Sequence, residues 1–443
     1  RGIEEQWLSP MESQERYTSG GQAVEQLEQW ILECLPEDED YQFLLWRQML
    51  AEGRISGEQV CMALLEQGKV ADENGAYEQL SSGSLSAYAF LREKIRNLEL
   101  TPAQLALDPS TASCVVVEPD TGQVLACVTY PGYDNNRLAN QVDGDYYNQL
   151  LEDRSLPLYN NALQQETAPG STFKPITAAA ALTEGLIGPD TVIETHGIFE
   201  EITPSPRCWI YPGGTHGAIN VAEAIRDSCN YFFYTLGYDM SLEGETYVPA
   251  KGIETLRHYV ELFGLNERTG LEIGESEPQM ADEFPVTAAI GQSNHNYTTA
   301  QLARYTAVLA NGGNLYDLTL VDHLEAPDTG ESQRREPLLR RSLEEISDST
   351  WQVIDQGMTM MAESNDVLSQ LGISVAGKTG TAQQNQNRPN HALFVGYGPA
   401  EEPQIAVATR IACGYSSPNA LEVTADILRY YFGLSPREEL VTG

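Results

Sequence analysis

Ser171-Thr172-Phe173-Lys174, Ser228-Cys229-Asn230 and Lys378-Thr379-Gly380 stand in that order along a chain of 443 residues, far apart in sequence and alike in carrying hydroxyl, amide and amine groups. Such groups act together only if three distant segments meet at one cleft, so the series constrains the architecture more than composition does. Each motif alone is weak. Ser417-Pro418-Asn419 also fits Ser-x-Asn, but it lies downstream of Lys378 and cannot be the middle member. Order and context turn three weak matches into one strong one.

The context of the first motif is informative. Pro169-Gly170 makes a turn, and the Ala-rich stretch that follows to Glu184 is a good helix former stopped by Gly185. Ser171 is therefore expected to open a helix, where unpaired N–H groups and the positive dipole end favour a developing alkoxide or oxyanion. Lys174 lies about one turn further on, on the same face as the hydroxyl. An amine acts as a base only when neutral, which requires burial that lowers its pKa from about 10.4. The segment from Ile219 to Tyr234 reads as helix, loop and helix, with Ser228 and Asn230 on the connection. On its own a Ser-x-Asn is most often a cap or turn; beside Ser171 and Lys378 it reads as part of a site. Lys378–Gln383 has the β-branched content of a strand, with apolar runs at His391–Tyr397 and Gln404–Ile411 ready to pair with it antiparallel.

Together these motifs resemble the transpeptidase domain of a monofunctional, class B penicillin-binding protein, from about residue 106 to the C-terminus. Further text supports the resemblance. Residues 113–136 resemble the family's opening hairpin and the segment after it, and Pro157–Ala162 resembles the approach to the nucleophile, although Asn161 stands where the family often has Arg. Ala289–Ser293, Thr298–Ala303, Ala310–Gly313 and His391–Tyr397 fit later blocks. The resemblance implies that Ser171 is the nucleophile and Lys174 its base. Ser228 relays a proton between the two lysines, and Asn230 binds substrate and steadies Lys174. Lys378 supplies a positive field, Thr379 and Thr381 grip the substrate carboxylate, and the N–H groups of Ser171 and Thr381 form the oxyanion hole. Gly380 is expected to leave room for an acyl-D-Ala-D-Ala peptide or β-lactam lying along the strand. No metal or cofactor is implied.

Composition sets outer bounds. A formal charge of −38 excludes nucleic acid and anionic membrane surfaces as general partners. No apolar run approaches the ~18 residues of a membrane span. The family is normally anchored by one N-terminal transmembrane helix, so Arg1 reads as an internal start with the anchor upstream, and the expected location is extracytoplasmic at the membrane. The seven cysteines show no metal-ligand spacing and read mainly as core thiols, Cys229 included. His295 and His391 read as packing or capping residues, with a contact near the site possible for His391 in the family pattern. Thr298 with Gln301 forms a capping box.

Residues 1–105 read differently, as a small helical assembly over Gly20–Leu35, Tyr41–Ala51, Ser56–Gln67 and Ser84–Leu98. It resembles helical elaborations in some Firmicutes members, and its expected role is cover or docking without chemistry. Residues 106–443 are expected to form an α+β, two-lobed penicillin-binding transpeptidase domain: a five-stranded antiparallel sheet flanked by helices, plus an all-helical lobe. The implied activity is peptidoglycan D,D-transpeptidation. Its partners would be stem peptides, β-lactam antibiotics and other cell-wall synthesis or division proteins. A D,D-carboxypeptidase or serine β-lactamase on the same scaffold, and a β-lactam receptor or idle cell-wall scaffold, are the alternatives. The 150 residues between Ser228 and Lys378 fit a compact β-lactamase poorly.

Overall fold

The computed structural model describes residues 20–97, 99–100, 111–153, 155–383 and 388–440; the expected boundary at 105/106 and residues 384–387 of the expected rim loop lie outside the described residues. The chain separates into two compact units, Arg1–Pro109 and Ser110–Gly443.

The described part of the first unit is helical: α1 (Gly20–Cys34), α2 (Glu39–Ala51), α3 (Gly57–Glu66), α4 (Ala76–Ser82) and α5 (Ala87–Arg96). Side chains set the starts. Ser56 and Gln59 form a reciprocal capping box on α3, and Ser86 accepts from Ala89 N at the start of α5. The seven-residue α4 was not expected from the sequence. It is bracketed by Gly75 and Gly83, both left-handed, and buries Ala76 and Leu80, one turn apart. Cys61, Val70, Leu80, Phe90 and Leu100 share its core.

The second unit is built on one antiparallel sheet whose strands come from both ends of the unit. They are β1 (Ala112–Val117), β2 (Val124–Tyr130), β3 (Ala376–Ala382), β4 (His391–Gly398) and β5 (Ile405–Ile411), in the order β3-β4-β5-β1-β2. Val115 pairs with Ala408, which closes the chain's two halves into one sheet, and Lys378 pairs with Val395. All eight residues of β4 are buried, as befits a strand covered on both faces. On one face Cys114, Val116, Phe394 and Val407 pack under a C-terminal helix, Ser417–Tyr431. On the other, Val115, Leu393, Val395 and Ala408 join the large core of the helical lobe. That lobe includes α6 (Lys174–Thr183), α7 (Val221–Arg226), α8 (Asn230–Asp239), α9 (Pro249–Leu262), α10 (Thr299–Ala310) and α11 (Asp348–Glu363), and the Ser417–Tyr431 helix is α12. The expected five-stranded sheet flanked by helices is the architecture observed. The capping box on α10 is present, with Thr298 accepting from Gln301 N at 3.2 Å. Among the described residues no helix is long and apolar enough to cross a membrane.

The sheet places β3 at an edge, so one side of the Lys378–Thr381 backbone has no strand partner and is free to line a cleft. Phe394 packs against two glycines of the sheet. That ring is fully buried, and a Cβ on Gly377 or Gly396 would lie 2.5 and 2.7 Å from its atoms. Phe394→Ala should therefore lower stability by about 3–5 kcal/mol, read as a depressed thermal transition of the second unit.

Candidate active site

Gly170–Phe173 forms a single 3₁₀ turn that runs directly into α6, so Ser171 precedes the α-helix instead of opening it as expected. Gly170 sets this geometry: it sits at φ 53°, and its N–H donates to Gly291 O at 2.9 Å. Residues three apart eclipse in a 3₁₀ turn, which keeps Ser171 and Lys174 on one side. The turn is clamped from below. Tyr305 OH donates to Thr172 O at 3.1 Å, Thr172 Oγ1 to Pro169 O at 2.8 Å, and Thr177 Oγ1 to Ala289 O at 2.8 Å. Gly291, at φ 72°, has no room for a side chain, since a Cβ there would lie 2.1 Å from Gly170 O. This explains why the Ala289–Ser293 block belongs to the site although it carries none of the three motifs.

Lys174 is wholly buried and joins the first two motifs. Its Nζ donates to Asn230 Oδ1 at 2.7 Å, Ser228 O at 2.7 Å and Ser228 Oγ at 3.1 Å. Burial drives its pKa down to about 7, against the opposing pull of the Cys229 and Cys208 thiols. Ser228 occupies the left-handed region at φ 53°, a sparsely populated conformation for a residue with a side chain. That turn is what lets both its hydroxyl and its carbonyl meet the same amine. Trp209 Nε1 also donates to Ser228 O, at 3.2 Å.

Lys378 is equally buried, and its Nζ donates to Thr379 O at 3.1 Å. Burial and then the nearby Lys174 charge hold its pKa well below the usual lysine range. Two amines in one buried site thus resist being protonated together. Thr379 is partly buried and Thr381 is exposed. The backbone of Thr381 faces the Ser171 turn: a Cβ on Gly170 would lie 2.6 Å from Thr381 O and 3.4 Å from Thr381 N. Gly380 has a packing reason to be glycine. A Cβ there would strike Thr172 Cγ2 at 2.7 Å and Pro169 O at 3.0 Å, so the missing side chain lets β3 press against the turn carrying Ser171.

The structure thus gathers Lys174, Ser228 and Asn230 by direct contact, brings Lys378 within electrostatic reach of Lys174, and sets Gly380 and Thr381 against the Ser171 turn. The rival Ser-x-Asn lies elsewhere, at the first turn of α12, where Asn419 Nδ2 donates to Gly414 O. His295 packs, as expected: its ring lies 4.5 Å from Phe173, Nδ1 accepts from Ala281 N, and Nε2 faces Ala288 O. Burial holds it neutral, with a pKa of about 4. His391 Nδ1 accepts from Cys413 N at 3.1 Å.

Sequence reasoning missed a cluster behind the middle motif. Cys208, His216 and Cys229 bring their donor atoms within 4.8 Å of one another, so neither Cys208 nor Cys229 is an isolated core thiol. Among the described residues this is the one group of three such donors, one short of the four that close a structural zinc site. Nothing in linear spacing signals it, because the 208–216 loop reaches Cys229 only through the tertiary fold.

An antiparallel sheet, a buried Ser-x-x-Lys turn and an edge Lys-Thr-Gly strand define a penicillin-recognising serine acyltransferase fold. The chain belongs to the penicillin binding protein transpeptidase domain family, whose model matches residues 112–430. It is 28% identical to peptidoglycan D,D-transpeptidase MrdA of Haemophilus influenzae over 72% of this chain and 52% of that protein. It is 30% identical to peptidoglycan D,D-transpeptidase PbpA of Mycolicibacterium smegmatis over 69% of this chain and 62% of that one. The chain thus spans roughly half to three-fifths of the length of these relatives. Penicillin-binding protein A from M. tuberculosis, solved as an imipenem acyl-enzyme complex, superposes with a TM-score of 0.64 at 27% identity, covering 74% of each chain.

The depressed Lys174 pKa is directly measurable. With ε-¹³C-labelled lysine, one resonance should titrate near pH 7 and vanish in Lys174→Met; if every lysine titrates near 10, Lys174 is not held as described.

Proposed function

We propose that this chain is a serine-type D,D-transpeptidase that crosslinks peptidoglycan stem peptides and is acylated by β-lactams at Ser171. The observation that carries the reading is Lys174: a buried amine, one 3₁₀ turn from a serine, poised near neutrality by burial and oriented by Ser228 and Asn230. Such an amine suits the work of a general base at physiological pH.

In the proposed cycle neutral Lys174 takes the Ser171 proton, and Oγ bonds to the carbonyl carbon of the penultimate D-Ala. The N–H groups of Ser171 and Thr381 receive the oxyanion; removing one such donor typically costs ~10²–10³ in rate. The C–N bond to the terminal D-Ala breaks, and its amine leaves with a proton relayed through Ser228 and Lys378. The amine of a neighbouring stem peptide then attacks the ester carbon, gives up a proton, and releases Ser171 Oγ as the hydroxyl. Lys378 gains a specific role from its environment. Its charge is disfavoured by burial and by Lys174, and the donor peptide's terminal carboxylate, held by Thr379 and Thr381, would offset that penalty and draw a proton onto it. Asn230 would steady Lys174 and bind the substrate backbone.

In this reading residues 106–443 are the transpeptidase domain and the helical 1–105 segment is a cover or docking element. The protein works outside the cytoplasm, where stem peptides are, among other cell-wall synthesis proteins. The acidic surface supports the absence of nucleic acid from its partners.

Brief exposure to a penicillin should give a single covalent adduct by intact-mass spectrometry, absent in Ser171→Ala and stable for hours. No adduct on the wild type would sink the proposal, and rapid return of free enzyme with drug consumed would mark a β-lactamase instead. The acylation rate should rise with pH through about 7 and then level, because only neutral Lys174 accepts the proton. Below that point the rate should fall roughly tenfold per pH unit, and a flat profile would exclude Lys174 as the base.

A further inference from the structure

Arg410 carries a buried charge that no acidic group of the fold answers. The residue is 1% exposed, and its Nε and Nη1 reach no acceptor. Burial lowers its pKa only to about 10, so the guanidinium keeps its proton at pH 7. The titratable groups that act on it are the Cys413 thiol and the Tyr159 phenol, and it in turn helps burial hold His391 neutral, with a pKa of about 4. The chain has 64 acidic residues, yet among the described residues no carboxylate pairs with Arg410. An uncompensated charge is among the most costly groups a core can hold.

The sheet register says where the side chain goes. Arg410 lies on β5 between Leu393 of β4 and Ser113 of β1. Residues directly opposite on antiparallel strands share a face, and Ser113 fixes which one: its Oγ lies 2.7 Å from Thr299 Oγ1, at the start of α10. Arg410 therefore enters the corner where α10 begins against the sheet. The same corner anchors the chain that leads to Ser171. Ala300 N donates to Ala162 O at 3.1 Å, and Tyr297 N to Thr167 O at 2.9 Å. Thr129, opposite Ser113 on β2, donates through Oγ1 to Asn160 Oδ1 at 3.0 Å.

Donors are in surplus there. Of the N–H groups from Thr298 to Leu302, four find acceptors, and that of Thr299 has none among the described residues. The Ser113 and Thr299 hydroxyls share one bond, which leaves one O–H over. Arg410 Nε and Nη1 add to this surplus, beside the positive end of a 12-residue helix. Unspent donors from three segments, with a fixed positive charge and no carboxylate, make an anion site. Water could accept from the N–H groups, but it would leave the charge uncompensated. The anion must be small, because the guanidinium is sealed in the core.

We propose that Arg410 and the Thr299 N–H bind one small monovalent anion of the chloride type, a structural counter-ion that fastens the 160–167 segment, and through it the Ser171 turn, to the sheet. Such an ion serves the fold whether or not Ser171 is a transpeptidase nucleophile.

The test takes the full chain, dialysed exhaustively into sodium gluconate, and compares it with the same protein in sodium chloride and sodium bromide at equal ionic strength. Chloride and bromide should raise the thermal transition of the second unit by about 2–4 °C over gluconate, with a saturable dependence on concentration. Arg410→Leu should lose that increment and melt at one temperature in all three salts. Crystals grown in bromide should show an anomalous peak against Arg410 Nε, and this result decides the matter if Arg410→Leu does not fold. An equal midpoint for the wild type in the three salts overturns the proposal. So does a chloride increment of the same size in Arg410→Leu, which marks a general salt effect, or a water or a carboxylate of the chain itself at Arg410 in place of bromide.

Discussion

The buried amine of Lys174 is the constraint on which the rest of the site depends. A lysine with no exposed surface must find oxygen acceptors or lose its proton, and here both happen: three oxygens from Ser228 and Asn230 surround it, and burial brings its pKa to about 7. The acceptors are available only because Ser228 adopts a left-handed turn between α7 and α8, folding its hydroxyl and carbonyl onto one point. The helical lobe is in this sense a device for delivering a strained serine to a lysine on another segment.

The sheet supplies the opposite wall. Its edge strand β3 presses on the Ser171 turn through two missing side chains, Gly170 against Thr381 and Gly380 against Thr172. Gly291 locks the same turn from the other side. Three glycines thus set how closely the Ser171 turn, Gly291 and β3 approach one another. The charge balance follows from the same compactness. Lys378 is pushed toward its neutral form by burial and by Lys174.

Much of this was legible in the chain. The motif order led to the expectation that Ser171, Lys174, Ser228 and Lys378 meet, of which Lys174 and Ser228 are in direct contact and Lys378 lies near Lys174, and the apolar runs at 391–397 and 404–411 became β4 and β5 within a residue or two. Period-two patterns and caps are local properties, which is why the strands and the starts of α3 and α10 could be read directly. Less local features were missed or misread. The α4 helix is too short to show periodicity, and Ser171 lies on a 3₁₀ turn because Gly170 is hydrogen-bonded to Gly291, a partner remote in sequence. The close approach of Gly380 to Thr172 joins segments remote in sequence.

The sequence by itself determined which chemical groups are present and in what order: a serine three residues before a lysine, a second serine with an asparagine, and a lysine on a strand. It did so because residue identity and short-range spacing are written in the chain. The tertiary structure alone decided how those groups are tuned. The fall of both lysine pKa values, the left-handed turn at Ser228 and the meeting of Cys208 with Cys229 arise from burial and from contacts between segments far apart in sequence. Desolvation and through-space charge depend on what surrounds a group in three dimensions, and linear spacing carries no record of that.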